Sequence, residues 1–146
     1  MTTLEILNIL QHDIHSTVFA TVDEHGLPQT CVIDLMLADE NGLYFLTASG
    51  KSFYERLMRR QYVAISGMKG QDNLSTVAIS VRGKVKNIGT QRLDEIFEKN
   101  PYMAKIYPTA KSRESLQVFH LYKSHCLHCG NCLRICPVKS VEKLGA

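Results

Sequence analysis

Short apolar runs bounded by turn signals recur along the chain, one of them with a clean period of two, and short stretches of helical spacing lie between them. Thr17-Val18-Phe19-Ala20-Thr21-Val22 is β-branched and mostly apolar, which predicts a strand. Asp23-Glu24-His25-Gly26 then reads as a turn, with Gly26 free to take positive φ. Thr30 to Leu37 is the returning strand, and Asn41-Gly42 joins it by a second hairpin to Leu43-Tyr44-Phe45-Leu46-Thr47. Tyr62 to Gly67 predicts a fourth strand, followed by a polar loop to Asn73. Val77, Ile79, Val81 and Val85 alternate with Ser80, Arg82, Lys84 and Lys86, a long strand with one wet face. Gly83 falls on its buried side, where a bulge or bend is expected. Leu116 to Tyr122 is the last strand and leads straight into a run of cysteines.

Three stretches have helical spacing. Leu4, Ile6, Leu7, Ile9 and Leu10 crowd one side of a short helix behind Thr3 as N-cap. Ser52 to Arg60 carries a stripe of Phe53, Tyr54, Leu57 and Met58, with Ser52 and Glu55 at capping-box spacing. Leu93, Ile96 and Phe97 follow Thr90 as cap and stop at Asn100-Pro101. Tyr102 to Ser115 reads as irregular. Hairpins outnumber helices and most connections are too short for parallel crossovers, so the expected fold is mainly β, an antiparallel barrel with short helices at its ends.

Composition changes this picture little. A chain of 146 residues with 45% apolar and 21% charged residues is expected to be one soluble globule with a real core. A net charge of +3 gives no indication of nucleic acid. Residues 1–13 hold Glu5 and Asp13 and no basic region, and no apolar run has the length of a membrane span. Neither a signal peptide nor a membrane is expected, and a reducing cytoplasm is the expected compartment.

The C-terminal stretch changes it more. Cys126, Cys129, Cys132 and Cys136 follow the order C-x2-C-x2-C-x3-C-P, the run that wraps a cubane 4Fe–4S cluster in bacterial ferredoxins. Pro137 turns the chain just after the last thiolate. Zinc is the lesser alternative, since zinc sites commonly hold two C-x2-C pairs a dozen or more residues apart. Disulfides would require a secreted chain. In two-cluster ferredoxins the fourth cysteine ligates the other cluster, and there is no second run here. Cys136 therefore closes its own cluster or reaches that of a second subunit, or a labile three-cysteine cluster takes Cys31, His125 or His128 as substitute. The expected division is residues 1–122 as the barrel and 123–146 as the cluster segment.

Thr47-Ala48-Ser49-Gly50-Lys51-Ser52 lies where a strand ends and a helix begins. Free amides at a helix start, hydroxyls, a glycine and a lysine suit a phosphate, although strand–Gly–Lys–helix junctions are also common as plain structure. The Walker spacing is absent.

The succession Ala20-Thr21-Val22-Asp23, Gly26, Pro28, then Gly42-Leu43-Tyr44-Phe45, Thr47, Lys51 and Tyr62-Val63-Ala64 resembles the pyridoxamine 5′-phosphate oxidase-like, FMN-binding split-barrel family. The likeness covers about residues 4 to 122. It is nearest the branch of small flavoproteins grouped with nitroimidazole-resistance proteins, some of which end in a ferredoxin-type cysteine run. The resemblance implies a split barrel of about six strands, a homodimer, and FMN in a groove at the dimer interface. It implies that Lys51 pairs with the FMN phosphate, that Thr47 and Ser49 hydrogen-bond the phosphate or ribityl chain, and that Val32, Ile33, Asp34 and Leu35 line the isoalloxazine. This chain departs from the family in two places. Cys31 stands where many relatives carry an arginine, and the arginine-rich C-terminal substrate motif is missing, so oxidation of vitamin B6 is not expected.

His12, His15, His25 and His120 are scattered without metal spacing and read as surface or core residues. Arg59-Arg60 suits a helix end; Tyr102, Tyr107 and Pro108 read as core or dimer packing residues, with the rim of a substrate pocket as the alternative. No catalytic triad or nucleotide-binding glycine fingerprint is present. The function expected is an FMN-dependent oxidoreductase or flavin/iron–sulfur electron-transfer protein. It would take electrons from a reduced donor such as a ferredoxin or nicotinamide nucleotide and pass them to a small-molecule acceptor. The alternatives are a non-catalytic iron–sulfur carrier or redox sensor with a dimerising barrel, and a flavoprotein with a zinc or structural tail.

Overall fold

The computed structural model describes residues 2–127 apart from residue 73, with backbone alone for residues 123–127. In chain order these hold α1 (Thr3–Asn8), a π-helical turn (Ile9–Ile14), β1 (Ser16–Val22), β2 (Pro28–Asp34), β3 (Leu37–Asp39) and β4 (Gly42–Ala48). Then come α2 (Ser52–Arg59), β5 (Tyr62–Lys69), β6 (Val77–Gly89), α3 (Leu93–Lys99), α4 (Met103–Ile106), α5 (Ala110–Arg113) and β7 (Leu116–Leu127). No helix among the described residues is long and apolar enough to cross a membrane.

The strands form one antiparallel sheet in the order β2-β1-β5-β6-β7-β4-β3. Its two ends, β2 and β3, are separated in sequence only by Leu35 and Met36. The Leu35 amide donates to His15 O at 2.8 Å, and the next amide, Met36, donates to Tyr44 O at 2.8 Å. One continuous segment therefore pairs with β1 along its first half and with β4 along its second. The sheet closes on itself, a split barrel of six strand lines counted as seven strands, as the succession of hairpins in the sequence predicts.

Inside it Phe19, Phe45 and Phe119 are fully buried, with ring centroids 4.6 Å apart for Phe19–Phe45 and 5.6 Å for Phe45–Phe119. Leu7 and Leu10 from the N-terminal helix and Phe53 and Leu57 from α2 complete this core. A second cluster, Met36, Leu37, Tyr44, Leu46, Ile96, Met103, Leu116 and Val118, sits under α3 and α4.

Several local expectations are corrected. The cap of α1 is Thr2 and not Thr3, because Glu5 lies three residues after Thr2 and completes a reciprocal capping box with it. Ser52 is the first helical residue of α2 and caps nothing, since the Lys51 amide bonded to Ala48 O turns the chain one residue earlier. Thr90 is not a cap either. Consecutive turns bond the Gln91 amide to Ile88 O and the Leu93 amide to Thr90 O, leaving Arg92 as the cap residue in the left-handed region at φ 63°. Residues 102–115 are not irregular throughout but hold α4 and α5, the latter opened by Thr109, which accepts from the Ser112 amide. The register shifts in β6 fall between Lys84 and Val85 and between Asn87 and Gly89, after Gly83 and not at it. Strand β7 continues past Tyr122 to Leu127.

Candidate functional site

Strand β4 delivers the chain from the core to the start of α2. Thr47 is buried near the strand's end, and Ser49 and Lys51 are exposed beyond it. The Ser49 amide is taken by Ser115 O and the Lys51 amide by Ala48 O. The amides of Ser52, Phe53 and Tyr54 have no acceptor inside the helix they begin. Two cationic side chains stand beside them. Lys51 occupies the cap position, and Arg56, one turn on, donates from Nε to Thr21 Oγ1 at 2.8 Å and lies against the Cys31 thiol. Burial pushes that thiol up, with the charges of Arg56 and Lys51 pulling it back.

A cleft of about 250 Å³ opens here between α2 and the β1–β2 turn, lined by Gln29, Ser52, Arg56 and Arg59 together with Asp23, Glu24 and Glu55. Asp23 is committed to the His25 and Leu27 amides, both at 2.9 Å, and Glu24 to Arg59 at 3.9 Å. Free helix-start amides and two side-chain cations form a donor set whose chemistry fits a phosphate group. Cys31 on β2 meets a guanidinium brought from α2.

Along β2 the residues facing out alternate with those facing the core. Val32 is 67% exposed, Ile33 and Asp34 are half-buried, and Leu35 is fully enclosed. Of the four residues expected to line a ring, Leu35 can contribute only backbone. Val32 pairs with the exposed Val18 of β1, and Met68 of β5 adds to an apolar outer face on this side of the sheet.

One cluster has no signature in the sequence. His15 Nε2 stands 2.8 Å from Tyr102 Oη, Tyr102 donates to Asp34 Oδ2 at 2.9 Å, and Ser16 donates to Asp34 Oδ1 at 2.6 Å. The backbone of His15, which ends the π-helical turn, has φ 63° and ψ −63°, a conformation that costs a non-glycine residue roughly 1–3 kcal/mol. Its two neighbours in the cluster lie 19 and 87 positions away in sequence, so no spacing rule links them; the run of turns and the odd backbone appear only in three dimensions. His120, by contrast, is a satisfied core residue. It stacks on Tyr44 at 4.3 Å with Nε2 2.9 Å from Asn41 O, and burial lowers its pKa.

Of the four cysteines expected to bind a cluster, only the backbone of Cys126 is described, paired with Val81 in the β6–β7 ladder. Cys129, Cys132 and Cys136 lie outside the described residues. Among the described residues no group of three or more His, Cys, Asp or Glu side chains is placed to hold a metal ion.

A family model described as pyridoxamine 5′-phosphate oxidase matches residues 5–125. No curated protein matches the sequence. Among solved structures, a NimC/NimA family protein from Clostridium acetobutylicum superposes with a TM-score of 0.68 at 18% identity, covering 85% of each chain. A FAD-binding protein from Mesorhizobium loti gives 0.65 at 13% identity, covering 88% of this chain and 96% of that one. HutZ, the heme storage protein of Vibrio cholerae, gives 0.65 at 12% identity, covering 86% and 94%. The chain spans 58% of the length of a matching Agrobacterium tumefaciens protein of unknown function. At these identities the structures speak for a shared fold, and they span flavin and heme binders alike.

Proposed function

Because the chain belongs to the pyridoxamine 5′-phosphate oxidase family, we propose that it is an FMN-dependent oxidoreductase carrying electrons from a reduced donor to a small redox-active acceptor. The observation that carries this reading is the start of α2, where the first-turn amides have no acceptor within the helix, Lys51 and Arg56 both stand beside Cys31, and Ser52 and Arg56 line a cleft. Lys51 and the first-turn amides would hold the cofactor's phosphate, with Ser49 and Thr47 on the strand side. Val32, Ile33 and Asp34 would border its ring, and a FAD-binding protein of the same fold supports a flavin as the cofactor. FMN supplies hydride or single-electron exchange, and a 4Fe–4S cluster supplies one electron at a time, so the protein's part is to bind, orient and shield.

The cysteine run belongs to the same proposal. Val32, Val18, Ser66, Ser80 and Leu127 pair in one transverse row across β2, β1, β5, β6 and β7. Four inter-strand steps of about 4.8 Å separate the ring-bordering segment from the start of the run by about 19 Å along the sheet. Cys126, Cys129, Cys132 and Cys136 would ligate the cluster. A homodimer, expected of this family's fold, belongs to the same proposal.

The test is the absorption spectrum of anaerobically prepared protein with flavin, iron and sulfide quantified. A flavin spectrum with about one FMN per chain and stoichiometric iron and sulfide is expected. Colourless protein after reconstitution with FMN, iron and sulfide contradicts the proposal. Flavin with zinc and no sulfide would retain its flavin half alone.

A further inference from the structure

We propose that His15, Tyr102, Asp34 and Ser16 form a proton relay serving an apolar cleft on the outer face of β1, β5 and β6. What the protons serve rests on the flavin reading above; the relay itself is built from groups this chain holds without a cofactor.

Tyr102 has one hydroxyl proton, directed at Asp34 Oδ2 2.9 Å away. Its oxygen lies 2.8 Å from His15 Nε2, so that contact needs a proton on the ring nitrogen. The other ring nitrogen, Nδ1, faces Gln11 O at 3.3 Å, and a carbonyl only accepts. Beside an Asp34 carboxylate all three contacts hold together only when both nitrogens carry protons; beside an Asp34 carboxylic acid they hold with a neutral ring protonated on Nδ1, so the line has two complete proton arrangements. In the transfer step the Nε2–H bond of His15 breaks as an O–H bond forms on Tyr102, while the former Tyr102 proton passes to Asp34 Oδ2. The ring ends neutral, the carboxylate ends as a carboxylic acid, the tyrosine is restored, and no electron moves. Burial, then the hydrogen bond to Asp34, pushes the Tyr102 hydroxyl well above the ordinary tyrosine range, so the two transfers run together and not through a free tyrosinate.

Both ends of the line are open. The His15 side chain is 28% exposed, so water can return its proton. At the other end the hydroxyl of Ser16 donates to Asp34 Oδ1, and Ser16 lines a cleft of about 310 Å³ with Val18, Ser66, Gly67, Met68 and Ala78. The ring is aimed by its backbone. The His15 amide is bonded to Leu10 O and its carbonyl accepts from Leu35, so the strained residue is held from two sides. Strained residues and π-turns of this kind gather at functional sites. The titratable groups on the packed elements are His12 and Asp13 on the π-turn, Lys69 on β5 and Lys105, which is exposed, on α4. Asp13 is paired with Lys69 and with His12, which leaves His15 and Asp34, 3.5 Å apart, facing each other.

An apolar floor with hydroxyls at its rim suits a flat ring bearing carbonyl oxygens, so the occupant is a small quinone-class acceptor. Such a ring gains two electrons and two protons on becoming the hydroquinone. FMN, reduced by a nicotinamide nucleotide or ferredoxin, would supply the electrons. One proton comes from Ser16, whose O–H bond breaks as an O–H bond forms on the ring; the Asp34 carboxyl turns and returns a proton to Ser16 Oγ, ending as the carboxylate, and the second proton comes from water.

The experiment has two arms. In cofactor-free protein with ¹³C-labelled tyrosine and histidine, the Tyr102 ring carbon bearing oxygen is expected to shift over the same pH range as the His15 ring. A Tyr102 resonance that stays flat while His15 titrates overturns the relay whatever the cofactor result. In FMN-loaded protein, Tyr102→Phe is expected to bind FMN within twofold of wild type and to reduce menadione at least tenfold more slowly, with added imidazole restoring part of the rate. An unchanged rate with intact FMN binding removes the relay's role in catalysis. Wild type that binds no FMN defeats the flavin reading and leaves the first arm to judge the relay. Should Tyr102→Phe not fold, Asp34→Asn replaces it, with the same loss of rate expected.

Discussion

Arg92 shows how one residue here serves a backbone role and a charge role together. Its left-handed φ of 63° ends the β6 turn, and its guanidinium lies 2.6 Å from Asp39 and 2.7 Å from Glu95, over the Tyr44 ring at 4.3 Å. Arg92, with Lys99 assisting, holds the Glu95 carboxyl down to about 2. A carboxyl lowered in the folded state stabilises fully above its unfolded value, about 4.3, and that contribution is lost as pH falls toward 2. Both side chains are about one-third exposed, so the interaction is worth about 1 kcal/mol. Urea unfolding should therefore show Arg92→Ala less stable than wild type by about that amount at pH 6, with the gap closing between pH 4.5 and 2. A gap that stays constant down to pH 2 would assign the effect to packing on Tyr44.

At the scale of elements, the hairpins were the most legible part of the chain and the helix ends the least. Asn41-Gly42 names its turn because only glycine suits that place. Gly42 has φ 135°, and a Cβ there would come 1.9 Å from Leu121 O of the neighbouring strand. Gly26 has φ 79° but open space around it. Gly42→Ala is thus expected to cost about 3 kcal/mol or more, combining strain and clash, and Gly26→Ala about 1 kcal/mol from conformation alone. Equal losses for the two in denaturant unfolding would refute the close approach of β4 to β7. Alternation predicts β6 because one of its faces is in the core and the other is wet, whereas β4, buried on both faces, reads as an apolar run behind the Asn41-Gly42 turn. It missed the break at Leu35-Met36, since both residues stay buried while their amides change partner strand. Caps at Ser52 and Thr90 were misplaced because neighbouring turns, set by Ala48 O and Ile88 O, decide where those helices begin. The phosphate-type junction at Lys51 was readable from local order, whereas Arg56 on Cys31 and the His15–Tyr102–Asp34 line required the barrel to close first.

For the whole molecule, the closed sheet is what makes one site out of distant segments. It sets the β2 segment between the α2 start on one side and the transverse row leading to Leu127 on the other. The central claim is that an anionic phosphate seats at the head of α2, and comparing FMN with riboflavin, which lacks that phosphate, tests it most directly. Fluorescence titrations of wild type and Lys51→Ala with both ligands should show wild type binding FMN at least tenfold tighter than riboflavin. In Lys51→Ala, FMN should weaken by about tenfold to a hundredfold, the loss of one charge-assisted hydrogen bond, with riboflavin unchanged. Equal affinity of wild type for the two ligands, or an FMN affinity untouched by Lys51→Ala, would contradict it.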